Sequence, residues 1–230
     1  MPTIKPEFFS YDMTRAILEG RKTAARRVIK CSGHKVEDLL LPDPLRGSRY
    51  AFSALNCRTE KKEGVTLAPR HLPGNFIYIR ENFAMSSSLS GVSDTDRPIY
   101  MADYSPQELK VLKEKGFRWK PCFHMAMDQS RLFLRVKAAW PERLRSITEE
   151  QAKAEGISEY SIGEGEFGFA ASPNCNAFHD TATSAFADLW NSRFPSPEYP
   201  LYGWLANPMV WVYEFEVISR EEALGERSAT

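Results

Sequence analysis

Residues 16–30 read Ala16-Ile17-Leu18-Glu19-Gly20-Arg21-Lys22-Thr23-Ala24-Ala25-Arg26-Arg27-Val28-Ile29-Lys30. The stretch changes character twice. Met13, Ile17 and Leu18 lie at helical spacing, so a helix from Tyr11 to Glu19 is expected, with Gly20 as the residue that stops it. Val28 and Ile29 suggest a short strand. Between them, Arg21, Lys22, Arg26 and Arg27 place four cations in a seven-residue basic turn. Alternate side chains of an extended segment share a face, so the backbone here decides which cations act together. Arginine suits bidentate contact with phosphate and lysine supplies a point charge. A solvated, exposed turn accounts for the same residues without any ligand.

Working outward, Lys30 to Leu72 reads as a long irregular insertion, punctuated by Pro42, Pro44, Gly47, Gly64 and Pro69. Pro73-Gly74 turns the chain into Phe76-Ile77-Tyr78-Ile79, a buried strand with Arg80 and Glu81 at its end. Residues 84–98 are rich in Ser, Gly and Asp and read as a second loop insertion. Ser105-Pro106-Gln107-Glu108 opens a helix that Gly116 stops. Arg131 to Ala139 is an expected strand, with Leu132, Leu134 and Val136 on one face. Thr148-Glu149-Glu150-Gln151 opens another helix, ending near Glu155 with Gly156 beyond it. A helix from Thr181 to Asn191 faces Ala182, Ala185, Phe186 and Leu189 inward. Met209 to Val217 alternates as a strand, with Glu214 and Glu216 on its polar face. Trp190, Trp204 and Trp211 read as core and turn residues. Helices and strands are interspersed without βαβ spacing. The expected class is α+β with a curved, mostly antiparallel sheet. The expected organisation is one domain over residues 1–218, with irregular insertions near 31–72 and 84–98 and a polar tail at 219–230.

The chain has 230 residues, 43% of them hydrophobic, enough for one core of ordinary size. Formal net charge is zero, which argues against a strong non-specific nucleic-acid binder. The charge is uneven, however. Residues 108–145 hold ten Lys/Arg and four Asp/Glu, whereas residues 147–180 hold one Lys and seven Asp/Glu. Such polarity focuses an anionic ligand into one groove. No stretch approaches the roughly 18 apolar residues of a membrane span, and the first residues lack a signal-peptide core, so no membrane partner and a cytoplasmic location are expected. Cys31, Cys57, Cys122 and Cys175 show no framework spacing. Three of them lie near a histidine, as Cys31 with His34, Cys122 with His124 and Cys175 with His179. None has the tandem spacing of a zinc ribbon, so no metal and no other cofactor is assigned.

Several stretches together resemble the ASCH domain family, specifically its longer phage and prophage members. They are AILEGRKTAARRVIK, PGNFIYIREN, FRWKPCFHM with SRLFLRV, ERLRSITEEQAKAEGI, and FADLWNSR with NPMVWVYEFEV. The resemblance implies a PUA-like β-barrel with helices beside a cleft. It also implies binding of RNA or of a modified nucleoside or nucleotide. Some members are amidohydrolases acting on acetylated cytidine, and others cleave single-stranded RNA. The family motif Gly-x-Lys-x-x-Thr-x-Arg is matched by Gly20, Lys22 and Arg27, but Ala25 stands at the threonine position. In the amidohydrolases that threonine is the proposed nucleophile, and a methyl group cannot form an acyl intermediate. Glu155 matches the glutamate that ends the Thr-Glu-Glu helix.

The expected ligand-binding residues are Arg21, Lys22, Arg26, Arg27, Arg80, Glu81, Trp119, Lys120, His124 and Arg131. Arg80, Glu81 and Arg131 match cleft positions of the family. Trp119, Lys120 and His124 combine an aromatic with cations, a set suited to stacking and phosphate contact. Lys22, Glu155 and Thr23 are the candidate catalytic residues. Lys22 and Glu155 can serve as an acid–base pair, as a ligand-binding pair or as a structural ion pair. RNA or nucleotide binding is the leading expectation, hydrolysis of acylated nucleosides or of single-stranded RNA the second. The third is docking of a protein partner on the acidic 147–180 segment.

Overall fold

The computed structural model describes residues 2–43, 48–90, 97–173, 175 and 177–225. Its elements follow the mixed pattern of the sequence, and it is an α+β protein. Of the strand pairs with a described register, six are antiparallel and one, Ile4–Phe8 against Phe76–Arg80, is parallel. The strands fall into four open sheets among the described residues, and no barrel is closed. Closure requires the edge strands of one sheet to pair with each other. Here each sheet ends in edge strands with a single neighbour.

By compactness the chain divides into two units. The first comprises residues 1–20, 75–135 and 216–230, and the second residues 21–74 and 136–215. Each gathers segments that are distant in sequence.

In the first unit, Ser10 caps helix Tyr11–Leu18 by accepting from the Met13 amide, as its side chain can in an extended cap position. Helix Pro106–Glu114 carries the complete Ser105/Glu108 capping box. Phe76, Tyr78 and Phe133 pack with Ala223 from helix Arg220–Gly225. That helix corrects the expected polar tail: Ala223 is fully buried, and residues 226–230 lie outside the described residues. Part of the 84–98 insertion is also ordered. Phe83–Met85 pairs with Pro98–Tyr100, while 91–96 lie outside the described residues.

In the second unit, the 31–72 segment is not irregular. His34–Asp43, Arg49–Asn56 and Lys62–Leu67 form a three-stranded antiparallel sheet. Two features disguise it. Pro42 sits in an edge strand, where a missing amide donor is tolerated. The Lys62–Leu67 strand is largely exposed and polar, so it lacks an apolar period. The middle strand does alternate: Phe52 and Ala54 are completely buried, and Phe52 meets Trp211 edge-on at 5.8 Å. Pro44 and Gly47, two of the expected breakers, lie outside the described residues. A hydrophobic core of this unit joins Leu144, Ile147 and Ala152 to Phe186 and Trp190 and to Val210 and Val212. It packs helices Glu149–Ala154 and Ala182–Asn191 against the last strand. Glu149 ties these helices together by accepting from the Ala182 and Thr183 amides at 2.7 and 3.0 Å. A carboxylate there satisfies donors that a helix start leaves free.

Candidate functional site

The basic stretch after Gly20 is a strand, not a solvated turn. Ala24–Val28 pairs antiparallel with Val210–Glu214. Just before it, Lys22 bridges Glu155, and the Thr23 amide donates to the Ala154 carbonyl at 2.8 Å. The extended backbone turns Lys22 and Arg26, four residues apart, into the same buried region, where their residue exposures are 1% and 0%. Thr23 is exposed. Ala25 is buried.

Glu155 is the C-cap of helix Glu149–Ala154, and Gly156 follows in the left-handed region at φ 101°. A carboxylate at a helix C-terminus sits at the unfavourable end of the helix dipole. Cations compensate. Lys22 Nζ donates to Glu155 Oε2 at 2.7 Å and to the Glu155 carbonyl at 2.8 Å, so it also caps the helix end. Arg26 reaches Glu155 Oε1 at 3.3 Å, and it also donates through Nε and Nη2 to Glu142 Oε1 and through Nη2 to Gln151 Oε1. Gln151 Oε1 accepts from the Thr148 amide as well, which ties the guanidinium to the capping box. Trp140 holds the other Glu142 oxygen at 3.1 Å.

Arg193 completes the cluster. Its Nη2 lies 3.9 Å from Glu155 Oε2, close enough for attraction and too far for a hydrogen bond. Its guanidinium packs over the rings of Trp190 and Phe186. Nε and Nη2 are buried and have no hydrogen-bond partner among the described residues. Three cations, Lys22, Arg26 and Arg193, therefore surround two carboxylates, Glu142 and Glu155. Burial, with a smaller contribution from the excess of cations, sets the protonation behaviour of the two bases. Burial lowers the Lys22 pKa to about 8 even though Glu155 opposes the shift, with Arg193 and Arg27 adding repulsion. Burial also lowers Arg193 to about 10. Glu155 is pushed up by burial, but its cations more than reverse this and leave it below the ordinary carboxylate range.

The pair is closed to solvent: Lys22 and Glu155 side chains are both 0% exposed. This corrects the expected open cleft between them. Arg193, 18% exposed, links the cluster to solvent. Arg21 donates to the Gly156 carbonyl at 2.8 Å and Arg27 to the Arg26 carbonyl at 3.2 Å, both half-buried.

The other expected site residues belong to the first unit. Arg131 holds Glu81 bidentately at 2.9 and 3.1 Å, binds Asp103 at 2.6 Å, and lies 4.0 Å from the Tyr100 ring centroid. Arg80 donates to the Tyr78 hydroxyl and packs over the Phe8 and Tyr78 rings. Trp119 is held edge-on between Tyr104 and Phe117, a packing role. Lys120 is exposed beside the Phe83 ring, and exposed His124 lies tilted against the Phe123 ring, their centroids 4.2 Å apart. The expected residues thus form two groups, one in each unit.

Sequence reasoning missed Glu142, Gln151 and Arg193 as site residues. Arg193 ends the stretch FADLWNSR, and Gln151 was visible as a cap; neither role marks a residue as facing Glu155. Among the described residues, no group of three or more His, Cys, Asp and Glu is arranged to hold a metal ion. Among the described residues no helix is long and apolar enough to cross a membrane. Comparison with protein-family models, curated proteins and solved structures yields no match.

Proposed function

We propose that this chain is an RNA- or nucleotide-binding protein of the PUA-like ASCH type, and that the cluster around Glu155 recognises an anionic group of the ligand through Arg193. One observation carries the reading: Arg193 keeps two buried N–H nitrogens without acceptors in a cluster where cations outnumber carboxylates. Leaving such donors unsatisfied costs free energy, which a phosphate oxygen would recover once the side chain, 18% exposed, turns them toward it. Lys22, Arg26 and Glu142 then hold Glu155 in place rather than touching the ligand. The motif match at Gly20, Lys22, Arg27 and Glu155 supplies the ligand class.

The test is fluorescence anisotropy with a short single-stranded RNA. Arg193→Gln is expected to weaken binding by about tenfold or more, the loss of a charge-assisted hydrogen bond. Binding is also expected to weaken as pH rises past about 8, because Lys22 then loses its proton and the cluster loses its excess charge. An RNA that does not bind, or an Arg193→Gln variant that binds as wild type does, overturns the reading.

A second reading rests on Lys22 itself. A lysine lowered to about 8 and held by a carboxylate can exchange protons near neutral pH, as a hydrolase needs. Ala25 offers no nucleophile, so this route uses water, and it requires the closed Lys22–Glu155 pair to open to water and substrate. Turnover of acylated nucleosides or RNA that Lys22→Ala abolishes would favour it; no turnover across such a panel rejects it.

A further inference from the structure

The second unit also contains a groove of about 320 Å³ that lies outside the Glu155 cluster. One wall is the strand His34–Asp43, part of the sheet between residues 34 and 67, and the other comes from residues 201–209. Its apolar lining includes Ile29 and Met209. Its charge is unbalanced. Lys30, Lys35, Lys62 and Arg143 line it against Glu37 and Asp38. Lys62 pairs with Glu37 at 2.9 Å, and Arg143 pairs with Asp38. Both carboxylates are thereby engaged. Lys30 and Lys35 are exposed, and neither is paired with a carboxylate among the described residues. Lys30 Nζ instead sits 4.7 Å from the Tyr202 ring centroid. An aromatic plane, two uncompensated ammonium groups and an apolar floor therefore meet in one concavity.

We infer that this groove is a second binding site, for one nucleotide: Lys30 leaves the face of the Tyr202 ring to share the phosphate with Lys35, and the base takes its place on the ring. Stacking on an aromatic side chain combined with cations along the backbone is how single-stranded nucleic acids are held without base readout. The volume lies near the lower limit of small-molecule sites, about 300 Å³, which fits one nucleotide unit. The inference takes its ligand class from the reading above. A free nucleoside monophosphate and one residue of a single strand present the same chemistry to the groove.

The experiment titrates the full chain with a labelled short single-stranded RNA and, separately, with nucleoside monophosphates, at about 50 and 200 mM salt. The decisive variant is the double substitution Lys30→Glu and Lys35→Glu, on two exposed side chains that no ion pair restrains. It is expected to lower affinity at least tenfold. Removing two phosphate contacts should also flatten the log–log salt slope by about 1.4, at roughly 0.7 per contact on a single strand. Tyr202→Leu should weaken binding about fivefold or more through lost stacking. Competition by monophosphates identifies a free nucleotide as the ligand, and binding of the strand alone identifies a residue of RNA; both support the site. A double variant with unchanged affinity and slope overturns it. If Arg193→Gln still weakens binding in that case, the cluster reading survives alone. If the double variant is weakened and Arg193→Gln is not, the groove stands and the cluster reading falls.

Discussion

Each unit buries one glutamate beside an arginine, and the two sites differ in almost every physical respect. In the first unit, Glu81 is met by a single cation, Arg131, which divides itself between Glu81 and the half-exposed Asp103. One cation faces two carboxylates, and burial pushes the Glu81 pKa up against the pull of Arg131. In the second unit, Glu155 is met by Lys22, Arg26 and Arg193, and its pKa is held down. The first arrangement satisfies its arginine and attracts nothing further. The second leaves an arginine with open donors. Burial alone marks neither as functional; the sign of the local charge balance and the state of the donors distinguish them.

The sharpest way to break this contrast is Glu155→Gln. It leaves Lys22, Arg26 and Arg193 facing Glu142 alone, and uncompensated buried charge costs about 3–5 kcal/mol. For a chain of this size the melting temperature should fall by roughly 6–20 °C. Lys22→Met should cost less, because Arg26 and Arg193 still face the Glu155 carboxylate. Paired thermal melts check both, and a larger loss for Lys22→Met would mean that Glu155 is not the centre of the cluster.

How much of this contrast could be read from the residues depends on which force places each one. The helix ends were legible because Thr148, Ser105 and Gly156 act locally, through hydrogen bonds and a positive φ within a few positions. Lys22 and Glu155 were legible as candidates through motif resemblance, and they do meet. That they meet without solvent was not legible. The same four cations suit a wet turn or a buried strand, and the choice is made by the Met209–Ile218 strand pairing alongside, almost two hundred residues later in the chain. Arg193 follows the helix Ala182–Asn191, whose inward face was recognised from its period. Periodicity describes packing and is silent about a residue beyond the helix end. The three-stranded sheet between residues 34 and 67 was missed because it buries little of its surface, so its strands carry few of the apolar alternations by which strands are recognised.

Acid sharpens the comparison further, since the two glutamates should respond with opposite sign. The ordinary value for both is 4.5. The folded pKa of Glu155 lies below it, so its contribution is complete above pH 4.5 and is lost as pH falls through the folded value. The folded pKa of Glu81 lies above it. As pH falls through that raised value toward 4.5, the native state takes up a proton before the unfolded chain does, and stability rises. Denaturant titrations of wild type, Glu155→Gln and Glu81→Gln over this range would separate the two. The advantage of wild type over Glu155→Gln should shrink in acid, and its advantage over Glu81→Gln should grow. Parallel curves would show that the two charge environments are equivalent after all.

The smallest effect is expected from Asp103→Asn. Asp103 is 47% exposed, and an ion pair so open to solvent contributes about 0–1 kcal/mol. Arg131 keeps its bidentate hold on Glu81 without it. Asp103 nevertheless repels the Glu81 carboxylate and helps to raise its pKa. Replacing Asp103 should therefore leave the melting temperature nearly unchanged while lowering the pKa of Glu81, as followed by carboxyl carbon chemical shifts. A stability loss comparable to that of Glu155→Gln would show that the Arg131 group is as strongly coupled as the Glu155 cluster. An unmoved Glu81 would show that burial alone raises it, with no contribution from the charge balance around Arg131.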